Sequence, residues 1–177
     1  MNKYLVTALV CGFLFVSGTA RAQKYSIQTN VLDWAALFTF NLEGGISMSQ
    51  HFSTHLGFRY NPWSFEKSDG SSFQLKQTAF YGGVRYWPWY VNSGFWVVAK
   101  LQYQSFDLGG FRIPGIVENE GLKGTGGFGP GIGLGYTFML NESVNLEVGA
   151  GGWVPNYRDL GLRLLPDFLS LSFVYVF

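Results

Sequence analysis

Apolar side chains recur at every second position in stretches of about ten residues after residue 23, and no window there keeps them at helical spacing. The clearest stretch is the last. Leu169, Leu171, Phe173, Tyr175 and Phe177 share one face, while Ser170, Ser172, Val174 and Val176 share the other. The same alternation marks residues 25–33, 40–48, 52–60, 80–86, 95–103, 131–138 and 144–151, which predicts an all-β chain of eight strands. Connections alternate in length. Residues 49–51, 88–94 and 141–143 are short turns, and 61–74, 107–126 and 155–167 are long loops.

The nature of the second face decides the kind of β-protein. In a soluble barrel or sandwich the apolar face turns inward and the other is rich in charge. Here the other face is mostly Gly, Ser, Asn and Gln, with five charges: Glu43, Arg59, Arg85, Lys100 and Glu147. The apolar face of the strand cores has none. Composition agrees, since charged residues make up 13% and aromatics 19% of the 177 residues, against roughly 25% charge in an ordinary globular chain. The expected fold is an eight-stranded antiparallel up-and-down transmembrane β-barrel of outer-membrane type, apolar outside and polar inside. Phe40, Phe52, Tyr60, Tyr86, Phe95, Tyr103, Phe138 and Phe177 lie near strand ends, as interfacial girdles require. Side chains fill an eight-stranded barrel, so a small-solute channel is the weaker alternative. The five interior charges are expected to meet across the lumen as an ion-pair plug, with the Gly129, Gly131, Gly133 and Gly135 stripe leaving room for long side chains.

Residues 1–22 read as a cleaved signal peptide: Lys3, an apolar run from Leu5 to Val16, and the small-residue site Ala20-Arg21-Ala22. The run is too short for a spanning helix, which needs about 20 apolar residues. Cys11 falls within it, so the remaining domain, 23–177, has no cysteine for a disulfide, a thiol nucleophile or a thiolate metal site. Sec export to a bacterial outer membrane follows as the expected localisation, with outer-membrane lipid as a partner. Removing Lys3 and Arg21 leaves 10 basic and 11 acidic side chains, a balance that excludes nucleic acid as a partner.

Candidate chemistry is sparse, and no catalytic, cofactor-binding or metal-binding set is expected. Gly124-Thr125-Gly126-Gly127-Phe128-Gly129 fits a GxGxxG pattern but opens a strand, with no helix N-terminus to hold a phosphate. His51-Phe52-Ser53 is similar to the His-x-Ser pair of small outer-membrane barrels that deacylate lipid A. In those enzymes the pair lies late in the chain and Asn follows it, whereas here Thr54 follows and the pair sits at an early short turn. A lipid-modifying enzyme using His51 and Ser53 is therefore only the alternative. Aromatics in the long loops, Trp63, Phe65, Phe73, Phe111 and Tyr157, are the expected contacts for a partner.

Several short motifs carry a family likeness between Gln28 and Phe177: Thr29-Asn30-Val31-Leu32, Asn41-Leu42-Glu43, Tyr60-Asn61-Pro62-Trp63, Arg85-Tyr86-Trp87, Gly133-Leu134-Gly135-Tyr136, Asn145-Leu146-Glu147 and the terminal Ser172 to Phe177. Together they resemble a family of small outer-membrane barrels of Bacteroidota-type bacteria that is classified only as a domain of unknown function. The resemblance implies an eight-stranded barrel with no assigned activity. It also implies proximity to genes for fimbria-like surface appendages, and hence a structural, adhesion or surface-assembly role with appendage or other envelope proteins as partners.

Overall fold

The computed structural model describes residues 25–35, 38–66, 72–109 and 121–177; the expected signal peptide and Phe111 lie outside them. Eight strands close on themselves: β1 (Tyr25–Asn30), β2 (Phe40–Ser47), β3 (Phe52–Asn61), β5 (Ser72–Tyr86), β6 (Gly94–Gly109), β7 (Gly121–Met139), β8 (Val144–Trp153) and β11 (Leu165–Val176). Each pairs antiparallel with its neighbours in chain order, and β11 returns to β1. The chain end makes the seam. Phe177 and Tyr25 exchange backbone hydrogen bonds of 2.9 and 3.0 Å, and their rings stack 5.9 Å apart on the outside.

Alternation fixes which side chains face out. Leu56, Ile132 and Leu169 are each 70% exposed, while their neighbours one residue away are buried or half-buried. The apolar face is thus the outer wall, and the polar face lines the lumen, the reverse of a water-soluble barrel.

Two departures from the expected strands matter for the lumen. The first strand was expected to run to Asp33, but β1 stops at Asn30 and residues Val31–Ala35 form a short helix, α1. Asn30 Oδ1 accepts the Leu32 N–H at 3.2 Å and the Leu171 N–H at 3.0 Å, so its side chain takes the place of strand pairing. The second departure is length. β5, β6 and β7 extend over 15, 16 and 19 residues, well into the segments expected as long loops. Their projecting ends carry three short strands, β4 (Ser64–Glu66) on β5, and β9 (Asn156–Tyr157) with β10 (Gly161–Leu162) beside β7. The GxGxxG segment lies inside β7, where Thr125 and Gly126 (φ +61°) form a bulge opposite Ser105 of β6 and Gly126 gives its N–H to Ser105 Oγ.

Candidate functional site

The lumen is packed in layers. Trp87, Trp96 and Val98 form an apolar cluster toward the short-turn end, and Phe106, Trp153 and Tyr157 form another at the long-loop end. Glycine makes both possible. Any Cβ at Gly135 or Gly149 would run into the Trp96 ring, one at Gly133 or Gly151 into Phe168, and one at Gly124 or Gly127 into Tyr157. The wall opposite each large ring is therefore backbone alone.

Between these layers lie two ion networks, which together hold all five charges singled out from alternation. In the network nearer the short turns, Arg85 Nη1 reaches both carboxylate oxygens of Glu147 at 2.9 Å, and Nη2 reaches Glu43 Oε1 at 2.8 Å. Thr137 Oγ1 donates to Glu147 at 3.1 Å, and the Arg85 guanidinium lies 4.3 Å from the Trp96 ring centroid. In the farther network, Arg59 Nε meets Asp33 Oδ2 at 3.1 Å, and Lys100 pairs with Asp167. Arg59 Nη1 also donates to the Asp167 backbone carbonyl at 3.3 Å.

The five-charge set read from alternation left out Asp33, His55 and Asp167, which the structure adds to the two networks. His55 shares the inward face of β3 with Ser53 and Arg59, so its position was legible though its role was not. Asp33 enters through α1. Asp167 enters through a bulge: Pro166 pairs with Gly152 and Phe168 with Gly151, leaving Asp167 as the extra residue. The shift lets Asp167 and Phe168 both turn inward, whereas strict alternation puts Asp167 on the apolar side.

The His51–Ser53 pair does not form. His51 Nδ1 sits 3.0 Å from the Trp87 carbonyl oxygen, and its ring stacks on Tyr90 at the turn. The partner of Ser53 is His55 instead, with Oγ to Nε2 at 2.6 Å, and His55 Nδ1 lies 2.9 Å from Glu43 Oε1. The physical reason is where the strand begins: β3 starts at Phe52, so His51 belongs to the turn, while Ser53 and His55, two apart within the strand, both point into the lumen.

The loop aromatics separate. Trp63 is exposed, and the Phe65 and Phe73 backbones pair between β4 and β5. Tyr157 corrects the expectation of an exposed contact: it is buried edge-on against Phe106 at 5.4 Å and Trp153 at 5.9 Å, closing the barrel mouth. Little space is left in the lumen. A cavity of about 40 Å³ lies among Glu43, His55, Arg59, Tyr81, Arg85 and Lys100, room for about three waters at 10–15 Å³ each. Among the described residues no group of three His, Cys, Asp or Glu side chains has the arrangement of a metal site.

A model of the family described as "Protein of unknown function (DUF3575)" matches residues 6–160. The chain belongs to that family. The match covers seven of the eight barrel strands and both ion networks except Asp167, so the family frame extends over the closed barrel up to its last strand. No curated protein matches the chain.

Proposed function

We propose that the protein is an integral outer-membrane barrel with a structural or surface-assembly role, holding an envelope or appendage partner at its long-loop end. The carrying observation is the inverted wall. Within the band between the girdle residues the outward side chains are apolar or small and the charges lie inside, while exposed Lys76 and Lys123 stand on the strand extensions beyond it. A charge on the outer face costs about 2–4 kcal/mol at the bilayer midplane, which accounts for this division.

The dimensions agree with a bilayer. Phe52 and Tyr60, Phe95 and Tyr103, and Phe128 and Tyr136 bracket the wall eight residues apart on their strands. Eight residues rise about 27 Å along a strand. A tilt near 40° reduces this to about 20 Å of height, to which the ring ends add, close to the apolar band of about 25 Å in such barrels. The filled lumen argues against a channel. Beyond the band, Phe38, Trp63, Leu162 and Leu164 stay exposed around the long-loop end, and these are the contacts we assign to a partner.

The test is membrane fractionation followed by mild-detergent capture, through an affinity tag inserted within residues 110–120. The barrel is expected in the outer-membrane fraction with a stoichiometric surface or secretion protein. Recovery in a soluble fraction would sink the membrane reading, and a solitary membrane barrel would sink the partner reading.

A further inference from the structure

Ser53, His55 and Glu43 stand in a relay that an ion-pair plug does not require. Ser53 Oγ is 2.6 Å from His55 Nε2, and the other ring nitrogen is 2.9 Å from Glu43 Oε1. Glu43 is held as a carboxylate by Arg85 at 2.8 Å. The proton positions follow from donor and acceptor chemistry. Trp87 Nε1–H donates to Ser53 Oγ at 2.9 Å, and among the described residues the acceptor for the Ser53 hydroxyl proton is His55 Nε2. His55 is then the tautomer with its proton on Nδ1, the nitrogen that lies 2.9 Å from Glu43 Oε1 in ion-pair contact but without the alignment of a hydrogen bond, and Nε2 is free to take the proton of Ser53. That is the order of a Ser–His–acid triad, recognised by geometry and not by chain order, with the acid in contact with the ring and the bond to it still to be aligned.

We propose that Ser53 is an activated nucleophile that accepts the acyl group of a neutral carboxylic ester entering from the short-turn end of the barrel. Ser53 Oγ attacks the ester carbonyl carbon as His55 Nε2 takes its proton. The ester C–O bond then breaks, the leaving alkoxide takes that proton from His55, and Ser53 is left as an acyl ester that water removes by the same route.

Two observations point to this substrate class. Among the described residues the lumen cations Arg59, Arg85 and Lys100 are each paired with a carboxylate, so none of these three is free for an anionic substrate. Arg85 nevertheless has a buried Nε–H with no hydrogen-bond partner among the described residues, and its Cα lies directly across from Ser53 in the β3–β5 ladder. That donor is placed to serve a carbonyl oxygen that gains charge during attack. Trp87 controls entry. Its indole is buried on Ser53, and it begins the turn that joins β5 to β6.

The test uses the full-length folded barrel in detergent, with a fluorophosphonate and p-nitrophenyl butyrate as probes and the labelled peptide identified by mass spectrometry. One adduct per chain is expected on Ser53 and none in Ser53→Ala. Trp87→Ala, which uncovers the hydroxyl, is expected to label at least ten-fold faster. His55→Gln, which keeps a polar side chain but removes the base, is expected to label about 100-fold slower, the lower end of what a positioned base contributes. A folded Trp87→Ala barrel that stays unlabelled at Ser53 overturns the proposal, as does labelling indifferent to His55→Gln. If His55→Gln does not fold, the pH profile of the wild-type rate replaces it: a rise with imidazole deprotonation supports the relay, and a rate that does not change with pH through that range rejects it.

Discussion

The two ion networks occupy one lumen and use the same residue types, yet they are built differently. The network of Glu43, Arg85 and Glu147 stands wholly on β2, β5 and β8, three regular strands whose alternation turns the side chains inward at matched heights. The network of Asp33, Arg59, Asp167 and Lys100 draws two of its four members from irregular backbone, the α1 helix and the β11 bulge. Regular strands therefore supply a plug that needs no correction, and the farther one exists because the ladder breaks twice. Breaks of this kind let a barrel place charge where its period does not allow it.

The comparison is sharpened most by Arg85→Ala. It strands Glu43 and Glu147 in a buried lumen, for which about 3–5 kcal/mol of destabilisation is expected. Urea unfolding in detergent, followed by the gel shift between folded and boiled barrel, measures it; a loss below about 1 kcal/mol would mean that water already screens the network. Asp167→Asn comes next. The amide still accepts a hydrogen bond from Lys100 but no longer cancels its charge, and Arg59 keeps Asp33, so about 2–3 kcal/mol is expected in the same assay. A cost equal to that of Arg85→Ala would show that both networks depend on a central ion in the same way, and would remove the distinction between them.

The smallest effect lies beyond the barrel wall. Asp159, between β9 and β10, accepts the Thr125 backbone N–H at 2.9 Å, and this hydrogen bond holds its carboxyl below the usual carboxylate range. The folded form therefore gains stability from Asp159 above the ordinary carboxylate value near 4, and loses it as the pH falls through the lower folded value. Hydrogen exchange at the Thr125 amide is expected to accelerate, relative to its neighbours, on acidification below about pH 4. Asp159→Asn should abolish that pH dependence, and a Thr125 amide that ignores acid would detach the β9–β10 hairpin from β7.

Legibility followed regularity. Glu43, Arg59, Arg85, Lys100 and Glu147 were readable because each sits at an inward position of an alternating strand, and period two carries that information without any tertiary contact. Ser53 was readable as an unusual hydroxyl beside histidines, but the choice between His51 and His55 depends on which ring enters the lumen. Period two allows either, but β3 begins at Phe52, so His55 enters the lumen while the short turn takes His51 toward the Trp87 carbonyl. Tyr157 looked like an exposed loop aromatic because nothing local shows that Gly124 and Gly127 clear a space for its ring.

By itself the sequence determined the all-β class, the strand number, the inverted wall and the inward set of charges, all of them consequences of alternation. Tertiary structure alone decided the pairing of those charges, the entry of Asp33 and Asp167, the burial of Tyr157 and the Ser53–His55–Glu43 relay. Each of these depends on how one strand is set against another across the lumen. A strand carries its own period, but ring closure and the bulge in β11 fix which inward groups meet.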